Sequence, residues 1–212
     1  MSHASPSLVA NDLSVWRGDR VLFRSVSFAI ASGNMLWLRG PNGIGKTTLL
    51  RILAGLTPPE TGTRAWCGRV CRSVDPELQA DLAFIGHQDA LKRDLTPLEN
   101  LRSQCALEGA APGTDGLGAA LARLGIAERG GLPVAQLSAG QRRRAALARL
   151  VTTRARLWLL DEPTTHLDDA GQALVAQLIG SQLARGGVVV AASHLPLAVA
   201  GRVQELVLER AA

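Results

Sequence analysis

Hydrophobic positions along this chain follow two rhythms. Near the N-terminus they alternate, with Val26, Phe28 and Ile30 interleaving with Ser25, Ser27 and Ala29. A period of two marks a strand buried on one face. Residues 7–32 are therefore predicted to form antiparallel strands, with a turn at 17–20 reading Arg-Gly-Asp-Arg. Farther on, residues 35–38, 82–85, 157–160 and 188–192 are short, nearly all-apolar runs. Such runs suit central strands covered on both faces. Between the last two, residues 169–184 read as a helix ended by Arg185-Gly186-Gly187. Strand, helix and strand in that order imply a parallel sheet.

The texture changes over residues 96–153. Thr96 is placed to cap a helix, with Pro97 at its first position and Glu99 at its third. Residues 111–118 read as a loop, and 117–124 as a second helix stopping at Gly125. Ser138 and Gln141 form a capping-box pattern opening a third helix, with Leu147, Leu150 and Val151 on one side. The expectation is one α/β domain. Its core would comprise 7–95 and 154–212, including an N-terminal antiparallel β subdomain, with a helical subdomain at 96–153 inserted into it. There is no internal repeat and no low-complexity segment.

Composition narrows the picture. A chain of 212 residues that is 47% hydrophobic and 19% charged can bury a core. No run approaches 18 apolar residues, so no membrane span is expected. Residues 1–6 lack the basic-then-apolar pattern of a secretory signal, so the protein is expected to stay in the cytosol. The net charge of +5 comes mainly from scattered arginines; only Arg142, Arg143 and Arg144 cluster. Three successive residues fan around a helix, so this cluster is expected to be a solvated face and nucleic acid is not an expected partner. Cys67, Cys71 and Cys105 are odd in number and fit no zinc spacing, so they are expected to be reduced thiols.

The chemistry sits at the ends of the apolar runs. After 35–38 come Gly40, Pro41, Asn42, Gly43, Ile44, Gly45, Lys46 and Thr47, then a helical stretch opened by Thr48. This fits G-x-x-x-x-G-K-[ST] between a strand and a helix, the context that the phosphate-loop motif requires. Glycines let backbone N–H groups close around a polyphosphate, and the helix adds its positive end. Lys46 would reach the β- and γ-phosphates, and the Thr47 hydroxyl would ligate Mg²⁺. The run 157–160 ends in Asp161 and Glu162. Carboxylates at strand tips sit where α/β folds bind ligands. Asp161 is assigned to the Mg²⁺ shell and Glu162 to polarising the attacking water. Leu137, Ser138, Ala139, Gly140 and Gln141 open a helix whose free N–H groups favour a phosphate. Lying in the helical subdomain, they would serve a nucleotide held by a second subunit. His194 follows the run 188–192, at the same sheet edge as Asp161, where it could contact the γ-phosphate. Gln88 follows the run 82–85, in position for a Mg²⁺ or water contact.

Nearly the whole chain resembles the nucleotide-binding subunit of an ATP-binding cassette (ABC) transporter. Residues 40–47 resemble its Walker A loop and 157–162 its Walker B strand. Gln88 resembles the Q-loop glutamine, 137–141 the signature motif, 165–168 the D-loop with Asp168, and His194 the switch histidine. Trp16, about 30 residues before Lys46, matches the aromatic that stacks on adenine. The resemblance implies a P-loop NTPase fold, ATP and Mg²⁺ as cofactors, and ATP hydrolysis with Glu162 and His194 as catalytic residues. It also implies a head-to-tail homodimer with two ATP molecules at its interface, each between one Walker A and the partner's signature. Ala139 stands where glycine is commoner, and His166 where a small residue is.

Residues 86–101, 137–150 and the short length further resemble the cytochrome c maturation ATPases, the haem exporter ATP-binding subunits. That resemblance implies an integral membrane permease partner (CcmB-like), indirect work with a haem chaperone, and a place on the cytoplasmic face of the bacterial inner membrane. Another small-substrate transporter, or a soluble ABC ATPase, is the alternative. Soluble ABC ATPases usually carry two cassettes or a coiled-coil insertion, which this chain lacks. A GTPase would leave residues 137–141 unexplained and lacks N-K-x-D.

Overall fold

The computed structural model describes residues 7–18, 20–109 and 113–209. The N-terminal six residues, Asp19 of the expected 17–20 turn, residues 110–112 and the last three residues lie outside them.

Strands β1 (Ser7–Arg17) and β2 (Arg20–Ala31) pair antiparallel. β3 (Asn34–Arg39) leads through a glycine-rich loop into α1 (Lys46–Leu53). Next come β4 (Thr61–Trp66), β5 (Arg69–Cys71), α2 (Pro76–Ala80) and β6 (Leu82–Ile85). The helical stretch holds α3 (Pro97–Leu107), α4 (Thr114–Arg123), two 3₁₀ turns, α5 (Ala139–Leu147) and α6 (Arg149–Thr152). β7 (Leu157–Asp161), α7 (Asp169–Ala184), β8 (Val188–Ala192) and β9 (Arg202–Val207) complete the order.

Two sheets result. One is antiparallel, β2-β1-β4-β5; the other is wholly parallel, β6-β7-β8-β3-β9. Three of the all-apolar runs are its inner strands β3, β7 and β8, whereas the fourth, expected to be central, is the edge strand β6, with Leu82 and Phe84 only half-buried. Alternation decides which layer each side chain joins. Leu157 and Leu159 pack with α1 and the antiparallel sheet, whereas Trp158 and Leu160 pack with α7 and the helical stretch. Val188 and Val190 likewise face one way, and Val189 and Ala191 the other. A strand covered on both faces has no use for polar positions.

Register places the site. Leu38 pairs with Ala192, and Ala192 with Asp161. The residues after these three strands therefore emerge together at the carboxyl edge of the sheet, where open parallel sheets bind ligands. No helix is long and apolar enough to cross a membrane among the described residues.

Helix α4 differs from the sequence expectation. It begins at Thr114, inside the stretch read as loop, and Leu117 N–H already bonds to Gly113 O at 3.2 Å. Its Gly and Thr content reads as loop, but burial of Leu117, Ala120 and Leu121 holds an extra turn in register. The third expected helix is divided at Ala148 into α5 and α6.

Candidate functional site

The phosphate loop owes its shape to two glycines. Gly40 has φ +143, and a Cβ there would lie 2.7 Å from Leu208 O. Gly45 has φ +114, and a Cβ there would meet Phe23 Cδ1 at 3.0 Å. Only glycine suits such positive-φ, tightly approached backbone. Ile44 N–H closes the loop onto Pro41 O at 3.3 Å. Lys46 is 7% exposed and curls back over the loop, donating to Gly40 O at 2.7 Å and Pro41 O at 3.4 Å. An ammonium has three donors, so one proton remains for a ligand oxygen. Thr48 follows in the first turn of α1.

Thr47 Oγ1 donates to Asp161 Oδ2 at 2.7 Å, bringing two motifs 114 residues apart into contact. Asp161 is 2% exposed. Among the described residues, no three His, Cys, Asp or Glu side chains gather to hold a metal. A hydroxyl and a carboxylate are nonetheless a fitting pair of hard oxygen donors for Mg²⁺, which typically takes one or two protein ligands and completes its shell with water and substrate phosphates. Gln88 is exposed, and among the described residues its amide has no hydrogen-bond partner.

Glu162 has φ +48, a left-handed conformation costing a non-glycine residue about 1–3 kcal/mol. Its N–H continues the ladder to Ala192 O at 2.9 Å. Among the described residues its buried Oε1 has no hydrogen-bond partner, and His194 Nε2 stands 3.5 Å away. An orphaned buried carboxylate oxygen beside an imidazole, at the lip of a phosphate loop, suits a group that engages water. His194 is held in turn through Ser193, whose carbonyl and hydroxyl accept from Trp37 Nε1 at 3.1 and 3.0 Å.

Ser138 and Gln141 form the expected capping box, at 3.2 and 2.9 Å. Leu137 O accepts from Arg142 Nη1 at 2.5 Å, and Ala139 opens α5. Gly140 lies against the 163–167 turn: a Cβ there would lie 2.7 Å from His166 O. Asp168 caps α7 through Gly171 N–H at 3.0 Å. That bond, then Arg144, lowers its pKa. Trp16 is 37% exposed on β1, with Arg24 over its ring at 6.0 Å. Its neighbour Val15 pairs with Phe23, the ring that abuts Gly45.

The arginine cluster corrects the sequence expectation. Arg143 is 2% exposed, not solvated. Its Nε donates to Pro163 O at 3.3 Å, and its Nη2 to Asp161 O at 2.7 Å and Glu162 O at 2.8 Å. Its Nη1 donates to Gly86 O at 3.0 Å and Asp89 Oδ1 at 3.2 Å. All five guanidinium N–H donors have an acceptor. Arg144 reaches Asp168 at 2.5 Å and Leu124 O at 3.3 Å. Sequence reasoning missed Arg143 because every acceptor is distant in the chain. The hint available was the central place of Arg143 in a helix otherwise short of large apolar residues. A cleft of about 830 Å³ beside Leu107 and Thr152 is lined by none of the site residues.

Comparison with known proteins places these features in a family. Residues 23–165 match the model of the ABC transporter family. A cytochrome c biogenesis ATP-binding export protein CcmA from Aromatoleum aromaticum is 46% identical, covering 97% of this chain and 98% of its own. An ABC transporter ATP-binding protein from Pyrococcus furiosus has the same fold, with a TM-score of 0.82 and 25% identity over 94% of this chain and 97% of its own. An ATP-binding cassette solved as a dimer in a post-hydrolysis state with ADP and Pi superposes with a TM-score of 0.79 at 24% identity, covering 89% of this chain and 88% of its own.

Proposed function

The chain belongs to the ABC transporter family as an ATP-hydrolysing subunit, and we propose that it powers a membrane transporter serving c-type cytochrome assembly, by haem export or haem-chaperone release. The observation that carries the catalytic part is the convergence of Thr47, Asp161, Glu162 and His194 at one sheet edge. The likeness to CcmA over nearly the full length carries the cytochrome part.

In this reading residues 40–48 hold the phosphates of ATP, and the free proton of Lys46 contacts the terminal one. Trp16 stacks on adenine. Thr47 and Asp161 would hold Mg²⁺, with Gln88 as a further contact. Mg²⁺, when bound, neutralises charge developing on the phosphate oxygens. Glu162 accepts a proton from water as the water oxygen attacks the γ-phosphorus. The bond from that phosphorus to the β–γ bridging oxygen breaks, giving ADP and inorganic phosphate. His194 orients the water and the γ-phosphate. Ser138 and Gly140 of a second subunit close the site, and Asp168 lies at the same interface.

The core, 7–95 with 154–212, and the helical part, 96–153, act as two bodies that move on one another. The permease docks where both are exposed. A groove of about 220 Å³ there is lined by Asp89, Leu91, Lys92, Asn100, Ala145 and Arg149. The subunit would sit on the cytoplasmic face of a bacterial inner membrane. A deletion strain complemented with Glu162→Gln tests the whole reading. Parent protein should restore haem-stained c-type cytochromes and the variant should not; full restoration by the variant would contradict the proposal.

A further inference from the structure

Arg143 lies on the helix that carries the signature residues, yet its side chain points away from the subunit interface implied for them, into the core. Its five donors engage two separate segments. Three go to the carbonyls of Asp161, Glu162 and Pro163, the turn that aims the Glu162 side chain; two go to Gly86 and Asp89, which flank Gln88. Three successive carbonyls pointing at one guanidinium require a sharply curled backbone. Glu162 supplies the curl with its positive φ. A left-handed glutamate persists only when its surroundings over-determine it. Here Ala192 O fixes its N–H and Arg143 fixes its carbonyl.

We infer that Arg143 is the positioning residue for Glu162: the guanidinium holds the 161–163 turn in the one conformation that sets the carboxylate against His194, and ties that conformation to the 86–89 segment and to the signature helix. Movement of Asp89 is thereby felt at Glu162 without passing through the nucleotide. The fork geometry matters as much as the charge. Lysine offers three donors from one point and cannot span both segments, and glutamine offers two.

This inference rests on the proposal that Glu162 is the general base, so the test is a double-mutant cycle that separates the two. Single-turnover hydrolysis and equilibrium MgATP affinity are measured for the parent, Arg143→Gln, Glu162→Gln and the double variant. Misplacing a catalytic group by about 1 Å costs up to about 10²-fold. Arg143→Gln should therefore slow turnover by tens-fold to about 10²-fold, with the MgATP dissociation constant within about threefold of the parent, because the phosphate loop is untouched. In the Glu162→Gln background, adding Arg143→Gln should change the residual rate by less than about threefold. Additive losses, or affinity falling in step with turnover, would make Arg143 merely structural and overturn the inference. So would a parental rate for Arg143→Gln. If Arg143→Gln does not fold, Arg143→Lys is read in the same cycle: a loss of at least tenfold at retained affinity supports the fork, and a parental rate overturns it. A Glu162→Gln enzyme as fast as the parent would instead remove the base assignment itself, together with what rests on it.

Discussion

Gly140→Ala places a methyl group where the signature helix meets the 163–167 turn. The Cβ would lie 2.7 Å from His166 O, and the neighbouring backbone must retreat to about 3.4 Å, a shift of about 0.7 Å. His166 is itself left-handed, with φ +65, so the turn has little freedom to yield. Overpacking of this kind costs about 1–3 kcal/mol. Alanine returns up to about 1 kcal/mol of helix propensity in α5. The expected net loss is about 1 kcal/mol, or a fall in melting temperature of about 2–4 °C for a chain of this size. Turnover should suffer more than stability. The displaced turn joins Glu162 to Asp168, and a shift under 1 Å there should slow hydrolysis about 3–10-fold. Affinity of the single subunit for ATP should hold, because residues 40–47 lie elsewhere and Gly140 reaches only the nucleotide of a second subunit. Thermal melting, calorimetric ATP titration and steady-state ATPase on the same preparation decide it. A variant that melts higher than the parent by the propensity gain and turns over normally would refute the close contact between α5 and the turn.

Other consequences are open to direct measurement. Trp16→Ala should weaken ATP binding by about 1–3 kcal/mol if adenine stacks on the ring, while Trp16→Phe should be mild; unchanged affinity by titration would remove the stacking role. Mixing Lys46→Ala with Ser138→Arg subunits puts both lesions in one composite site and leaves the other intact, so ATPase activity should partly recover; no recovery with mixed dimers shown to form would count against a shared site. Asp75 caps α2 and takes a bidentate pair from Arg69 at 2.6 and 2.7 Å, which with Leu78 N–H holds its carboxyl well below the usual carboxylate range. Its stabilisation is therefore complete above the unfolded value of about 3.9 and is lost as pH falls below it. The stability gap between the parent and Asp75→Asn in urea should hold from pH 7 to about pH 4 and close only below that; closure already near pH 6 would point to another group.

The residues that declare this fold do so through local pattern. Runs such as 157–160 and 188–192 are apolar at every position because helices cover both faces, and that signal needs no knowledge of the partners. The phosphate loop lies between β3 and α1 because its glycines and lysine are contiguous. The capping boxes at Thr96 and Ser138 were readable for the same reason. What escaped was non-local or nearly featureless. Arg143 looks like one of three surface charges until the folded chain brings Gly86, Asp89 and Asp161 around it. β9 is an exposed edge strand with little apolar periodicity. The hairpin of β4 and β5 turns on Cys67 and Gly68, both at positive φ, a pair that only glycine signals in sequence. The short helix α2 was not expected, although Asp75 as its cap and Pro76 at its first position are a local start signal in a stretch otherwise without pattern.

The central claim is that Glu162 takes the proton from the water that splits ATP. Glu162→Gln keeps the size and polarity of the side chain and removes the base. Single-turnover hydrolysis at saturating MgATP by the purified variant is the most direct test. The account predicts a rate about 10²–10⁴-fold below the parent, with nucleotide still bound and ATP-dependent dimers accumulating. A rate within a few-fold of the parent would contradict it and shift the role to His194.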